Sequence, residues 1–445
     1  MVDHPILGIL ASGGPAPGIN SVIGTATIRA QLDGYDVLGI CDGFQWLMQG
    51  DIDHVVPLTI EAVSRIHFRG GSHIGISRAN PTTDRAQLER VLNSLLRLKV
   101  SHLITIGGDD TAFAAMTLER YAEGRLKIVH VPKTIDNDLD LPAAVDTFGY
   151  QTARHNGVEI VKNLMVDAKT TSRWYFVIAM GRKAGHLALG IGKAAGATLT
   201  LIGEEFRSPI RLSTIVDTLA GSIIKRLSDG RPDGVVVVAE GVVLSIDEKD
   251  LAELKEVERD PHGNLRIGEV NIGEILKKHV EARLKSLGIK ATIVDKNVGY
   301  ELRCADPIPF DMEYTRDLGY CAAEYLVMGG NAAMISIHSG TFEPIPFAQM
   351  LDAQTGRARI RLVDIRSPRY AIAREYMIRL RRSDFDDPDA LARLASTAHL
   401  TPDQFRAEFE NVVAYVPETI WWSGQPREQA ARQTTRASPS LPDRE

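Results

Sequence analysis

Residues Ser101 to Gly124 read SHLITIGGDDTAFAAMTLERYAEG. The opening run, SHLITIGG, is apolar continuously rather than on alternate residues, which predicts a strand covered on both faces. Two glycines stop it, and Thr111 to Gly124 has the length of a helix. A strand, a glycine turn and a helix make half of a βαβ unit.

The same pattern recurs. ILGILASGG from Ile6, KIVHVPKT from Lys127, WYFVIAMGR from Trp174, DGVVVVAEG from Asp233 and AAMISIHSG from Ala332 all read as buried strands. Helix-length segments such as Thr152 to Met165 lie between them. The expected fold is α/β: two Rossmann-like, doubly wound lobes with an active-site cleft between them. The first lobe is expected over residues 1–150. The second runs over 151–422, with the chain crossing back near its end. Asp247 to Leu265 reads as a solvated helix and loop, and 423–445, nearly devoid of apolar residues, as a disordered tail.

The chain has 445 residues, 44% of them hydrophobic, and a formal net charge of −6. That length supports two or three domains. The acidic balance argues against a nucleic-acid surface. Cys41, Cys304 and Cys321 are too few for a disulfide framework and show no metal-ligand spacing. No basic region precedes the first apolar run, and no window approaches the roughly 20 apolar residues that span a bilayer. A soluble, cytoplasmic protein without nucleic-acid or membrane partners is expected.

Polar residues and glycines cluster where strands end, which is where open α/β sheets bind ligands. ASGGPAPGIN, Ala11 to Asn20, suits either a phosphate approaching backbone N–H groups or a plain tight turn. In GGDDT, Asp109 suits either a Mg²⁺ carboxylate or a helix N-cap with Asp110 in the first turn. PKTIDNDLD, Pro132 to Asp140, brings Lys133, Thr134, Asp136 and Asp138 together. It reads as an extended segment with both carboxylates on one side, or as an Asx-rich turn. Arg78, Arg173, Arg182 and Arg303 are candidate phosphate clamps, with Arg182 beside Gly181 the best placed. Glu240, at another strand end, suits sugar hydroxyls, and His186 reads as a helix residue packed near the site.

In their order, SGG, SRANP, GGDD, PKTIDND, MGR, AEG and YELR resemble the phosphofructokinase family over roughly Ile6 to Pro346. The resemblance implies the phosphofructokinase fold and Mg²⁺-dependent phosphoryl transfer to the 1-hydroxyl of fructose 6-phosphate. It implies Asp136 as catalytic base, Thr134 as its positioning partner and Asp109 as metal carboxylate. Gly14 and Gly108 would line the donor site, and Arg78 would bridge donor and transferred group. Met180, Gly181 and Arg182 would hold the sugar phosphate, with Arg182 also near the transferring group, Asp138 among the substrate-binding residues and Glu240 on the sugar hydroxyls. Tyr300 and Arg303 match a later substrate motif. Arg173 and Arg303 resemble arginines that the family supplies from a neighbouring subunit, so a homodimer or homotetramer is implied.

The ATP-dependent members usually have glycine where this chain has Asp110, and many have glycine in place of Lys133. A carboxylate facing a nucleotide α-phosphate is repulsive by several kcal/mol at protein-like dielectric. Lys133 supplies charge for a smaller anion. The pair resembles the pyrophosphate-dependent members, with diphosphate as donor. An ATP-dependent enzyme and a non-catalytic regulatory subunit are the alternatives. Retention of Asp109, Thr134, Asp136 and Arg182 argues against the second.

Overall fold

The computed structural model describes residues 4–141, 145–254, 270–350, 359–417 and 419–420. The expected tail and most of the loop expected after Asp247 lie outside them. Ser101–Gly124 becomes the strand Val100–Gly107 and the helix Asp109–Ala122, with Gly108 between. The helix starts before Thr111 because two carboxylates in its first turn favour the positive end of its dipole. The other apolar runs give the strands Ile6–Ala11, Lys127–Pro132, Trp174–Ala179, Gly234–Ala239 and the short Ala333–Met334. Trp174–Ala179 and Gly234–Ala239 are buried at every position, as strands covered on both faces require.

The chain packs as two compact units, each assembled from separate stretches. The first takes the residues up to Lys162, Ala179–Ile191 and Asn297–Leu362; the second takes Asn163–Ile178, Gly192–Lys296 and the described residues from Val363 on. Compactness therefore groups the chain differently from a single boundary near residue 150.

The first unit holds a sheet in the order Ile345–Pro346, Ala333–Met334, Lys127–Pro132, Val100–Gly107, Ile6–Ala11, Asp36–Ile40, Val55–Leu58. Its inner pairs are parallel and its two outermost pairs antiparallel. The register sets Ala11 beside Ile106 and Gly107 beside Pro132. Three strands thus end side by side and release SGG, GGDD and PKTIDND at one edge of the sheet.

Two helices of this unit, Ile19–Leu32 and Pro309–Val327, pack closely. A Cβ on Gly319 would stand 2.6 Å from the Val22 carbonyl oxygen, so only glycine allows this approach. Ser21 Oγ donates to the Met312 carbonyl at 3.2 Å. Buried Asp311 accepts from the Gly149 and Thr152 N–H groups at 2.9 and 2.7 Å and from Thr152 Oγ1 at 2.6 Å. It thereby satisfies amides at the start of the helix Tyr150–Thr171, which would otherwise lack partners.

The second unit contains a sheet ordered Leu199–Leu201, Gly234–Ala239, Trp174–Ala179, Ile293–Val298. The first pair is parallel. In the same unit, buried Glu205 accepts from Arg379 and Tyr370, each at 2.8 Å. The helix Glu248–Glu253 is not simply solvated as expected. Its Asp250 is buried, accepts the Leu212 N–H at 2.7 Å and pairs with Arg211 at 2.9 Å. Among the described residues no helix is long and apolar enough to cross a membrane.

Candidate active site

Gly13 follows the first strand with φ +89°, a left-handed conformation that suits glycine. Its N–H donates to the Ser77 carbonyl at 2.8 Å, and Ser12 Oγ donates to the same oxygen at 3.0 Å. These bonds fix the chain just before Arg78. Space explains the glycines as well. A Cβ on Gly13 would lie 3.1 Å from Lys133 Nζ, and one on Gly14 would lie 3.4 Å from Arg303 Cζ. Two cations are packed against bare backbone.

Lys133 is 4% exposed and its ammonium donates to the Gly14 carbonyl. Burial pushes its pKa down to about 7; Arg303, Arg182 and Arg78 act in the same direction, and Asp136 opposes them. A lysine poised this way gains charge when an anion arrives.

Asp109 and Asp110 occupy the first turn of their helix, after Gly108, and both line the pocket with Lys133. Asp109 is therefore not the N-cap that one reading of GGDD made it: Gly108 takes that place without a side-chain cap, and both carboxylates sit in the first turn, at the positive end of the helix dipole. Asp136 is buried, and its N–H donates to Thr134 Oγ1 at 3.0 Å. Asp136 and Asp138 both reach the pocket, but not along an extended segment. Asn137 between them is left-handed, with φ +57°. Its side-chain amide donates to Asp146 at 2.9 Å, and its side-chain oxygen accepts the Thr147 N–H at 3.0 Å. The Asx-turn reading describes this backbone.

Arg182 follows the strand Trp174–Ala179 and is itself left-handed, with φ +49°. Its guanidinium lies 3.4 Å from Asp109 and 4.0 Å from Asp136. Burial works against its charge, but Asp109, Asp136, Asp138 and Asp110 outweigh that and raise its pKa. Asp138 is raised too, first by burial and then by the charge of Asp109, with Arg182 partly offsetting both. The pocket thus sets carboxylates against Arg78, Lys133, Arg182 and Arg303. Phosphoryl transfer needs such opposed charges, because it depends mainly on positioning and neutralisation.

A divalent cation fits this donor set. The charge of Asp109 reaches Asp138, and both carboxylates face the same pocket. Hard cations such as Mg²⁺ take one or two carboxylates and fill their shell with water and phosphate oxygens. Among the described residues no group of three or more His, Cys, Asp or Glu could hold a metal unaided.

The remaining expected residues fall in two groups. The Met180 N–H donates to the Val298 carbonyl at 3.0 Å, and Gly181 accepts the Ala184 N–H at 3.0 Å, which shapes the turn that presents Arg182. Tyr300 is exposed, with the Arg303 guanidinium 5.2 Å from its ring centre. Arg303 lies in the pocket of its own chain, whereas the resemblance implied delivery from a neighbouring subunit. The reason is local: the helix Tyr300–Arg303 follows the strand Ile293–Val298 within two residues. Arg173 and Glu240 belong to the second unit, where Arg173 sits 3.9 Å from Asp167.

Three residues behind the pocket were not singled out from the sequence. Buried His130 bonds the Gly107 carbonyl at 3.0 Å and Thr105 Oγ1 at 2.9 Å, and burial pushes its pKa down to about 3. It is a neutral prop under the glycine turn. Asn137 was visible only as a turn former. Arg361 bonds Asn137 from far along the chain, and no local pattern announces it.

The chain is similar to known proteins over most of its length. Over 408 residues the chain is 49% identical to the pyrophosphate–fructose 6-phosphate 1-phosphotransferase of Thermotoga maritima, covering 91% of this chain and 97% of that one. The Naegleria fowleri protein of the same name is 47% identical over 419 residues, covering 92% and 96%. The solved pyrophosphate-dependent phosphofructokinase of Nitrosospira multiformis superposes with a TM-score of 0.63 over 95% of each chain; at 16% identity this speaks for the fold alone. Residues 6–326 match the family described as Phosphofructokinase, and the chain belongs to that family.

Proposed function

We propose that this protein is a pyrophosphate-dependent 6-phosphofructokinase. It transfers a phosphoryl group reversibly from diphosphate to the 1-hydroxyl of D-fructose 6-phosphate, giving fructose 1,6-bisphosphate and phosphate. The observation that carries this reading is the pairing of Asp110 with buried Lys133 in one pocket. Asp110 repels a nucleotide α-phosphate, and Lys133 attracts a small, highly charged anion. The relatives at 47–49% identity support the same donor.

In this reading the 1-hydroxyl oxygen attacks phosphorus, its proton passes to the Asp136 carboxylate, and the bond to the leaving phosphate breaks. Thr134 holds the backbone of Asp136. Arg182, beside both Asp109 and Asp136, neutralises charge on the transferring group. Arg78 and Lys133 hold the donor, with Gly14 and Gly108 leaving it room. Mg²⁺, held by Asp109 with Asp138 nearby, would screen the phosphate oxygens. Met180, Gly181, Arg173, Tyr300, Arg303 and Glu240 are assigned to fructose 6-phosphate. The protein is taken to act in the cytoplasm as a homodimer or homotetramer.

The test is turnover with Mg²⁺ and fructose 6-phosphate, supplying either diphosphate or ATP, and with fructose 1,6-bisphosphate and phosphate for the reverse direction. The expected kcat/KM is far higher with diphosphate. A higher value with ATP overturns the reading. The Asp110→Gly, Lys133→Gly double variant is expected to gain ATP turnover.

A further inference from the structure

The loop carrying Asp136 and Asp138 is held by more than its own hydrogen bonds. A second segment, from beyond the family match, lies along it. Ile360 bridges Leu139 in antiparallel fashion, and the Arg361 N–H donates to the Asp138 carbonyl at 2.8 Å. The Arg361 side chain then turns inward. Nε donates to the Asn137 carbonyl at 3.1 Å, Nη1 donates to the Val145 carbonyl at 2.7 Å, and Nη2 donates to the Asn137 side-chain oxygen. Its own carbonyl accepts from His186 Nε2 at 3.1 Å. His186 opens the helix that follows the MGR turn. One residue therefore ties the base-bearing loop to the segment presenting Arg182.

Geometry explains why arginine is used. Asn137 is in the left-handed region, at a cost that surrounding bonds must offset. Its carbonyl and side-chain oxygen, together with the Val145 carbonyl, present three acceptors. A planar fork with several fixed donors meets all three, whereas lysine offers one mobile ammonium. We infer that Arg361 is a positioning residue for phosphoryl transfer, holding Asp136 and Asp138 in register with Arg182 through the Asn137 turn. This rests on the proposed phosphotransferase reading.

The test compares Arg361→Lys and Arg361→Ala with the parent, using kcat, donor KM and thermal unfolding. Misplacing a catalytic group by about 1 Å costs on the order of 100-fold in rate. Both variants are expected to lose kcat by about that factor, to keep diphosphate KM within about threefold, and to unfold cooperatively. Guanidinium ion added to Arg361→Ala is expected to restore part of kcat, and ammonium is not. Wild-type kcat in a folded Lys variant overturns the inference, because the fork would then be dispensable. Failure of both variants to fold, or loss falling on KM alone, makes Arg361 a structural residue and overturns it equally. If the parent uses ATP instead, the donor reading fails, and the same ratios measured with ATP still decide the role of Arg361.

Discussion

Lys133 is buried with its ammonium against the Gly14 carbonyl, and in the unliganded protein it titrates near 7. In an unfolded chain a lysine titrates near 10.4. Between those values the unfolded state binds more protons than the folded one, so this residue makes folding stability rise with pH from about 7 to about 10. An anion beside it reverses the preference, so donor binding at pH 8 should take up a proton. Calorimetry of diphosphate binding at pH 8, in buffers of different ionisation enthalpy, measures that uptake. Lys133→Arg should show less uptake, and its diphosphate KM should rise less between pH 7 and 9. Equal pH slopes in the two proteins would remove Lys133 from the donor site. At this scale the sequence was most informative where chemistry is local. Asp109, Asp110, Thr134, Asp136 and Arg182 stand next to strand ends that were legible as apolar runs. Arg361 was not legible, because the loop it bonds lies more than 200 residues away and nothing adjacent to it looks like a site.

Elements reveal a different limit. Continuous hydrophobicity located the central strands, since burial on both faces leaves little room for polar side chains. Of the two readings open at Asn137 the turn holds and the extended segment does not, because a left-handed residue inverts the side-chain alternation that an extended reading assumes. Which helix packs on which was also invisible. Gly319 shows why: it is an ordinary helix glycine until the helix Ile19–Leu32 is laid against it. Gly319→Ala brings a Cβ to 2.6 Å from the Val22 carbonyl oxygen and 3.0 Å from Val22 Cα, neither of which can swing aside. The helix-propensity gain of about 1 kcal/mol opposes an overpacking cost of about 1–3 kcal/mol. Contact with backbone puts the cost at the upper end, so thermal unfolding should shift down by a few degrees. An unchanged or raised Tm would show that the helices separate freely.

Across the whole molecule, each compact unit is built from separated stretches of chain. The first unit needs Pro309–Val327 to cover Ile19–Leu32, and Ala333–Met334 to pair with Lys127–Pro132. A fragment of residues 1–162 has neither. It is expected to show no cooperative urea transition by circular dichroism, and a sigmoidal transition would mean the early stretch folds alone. The same interleaving has a consequence on the ribosome. The strand Lys127–Pro132 emerges long before its neighbour Ala333–Met334. At roughly 5–20 residues per second the delay is on the order of ten to forty seconds. For that time a nascent chain carries an open strand edge, the feature most prone to pair with another molecule. The yield of active protein in a cell is thus tied to translation speed and to chaperones that shield that edge.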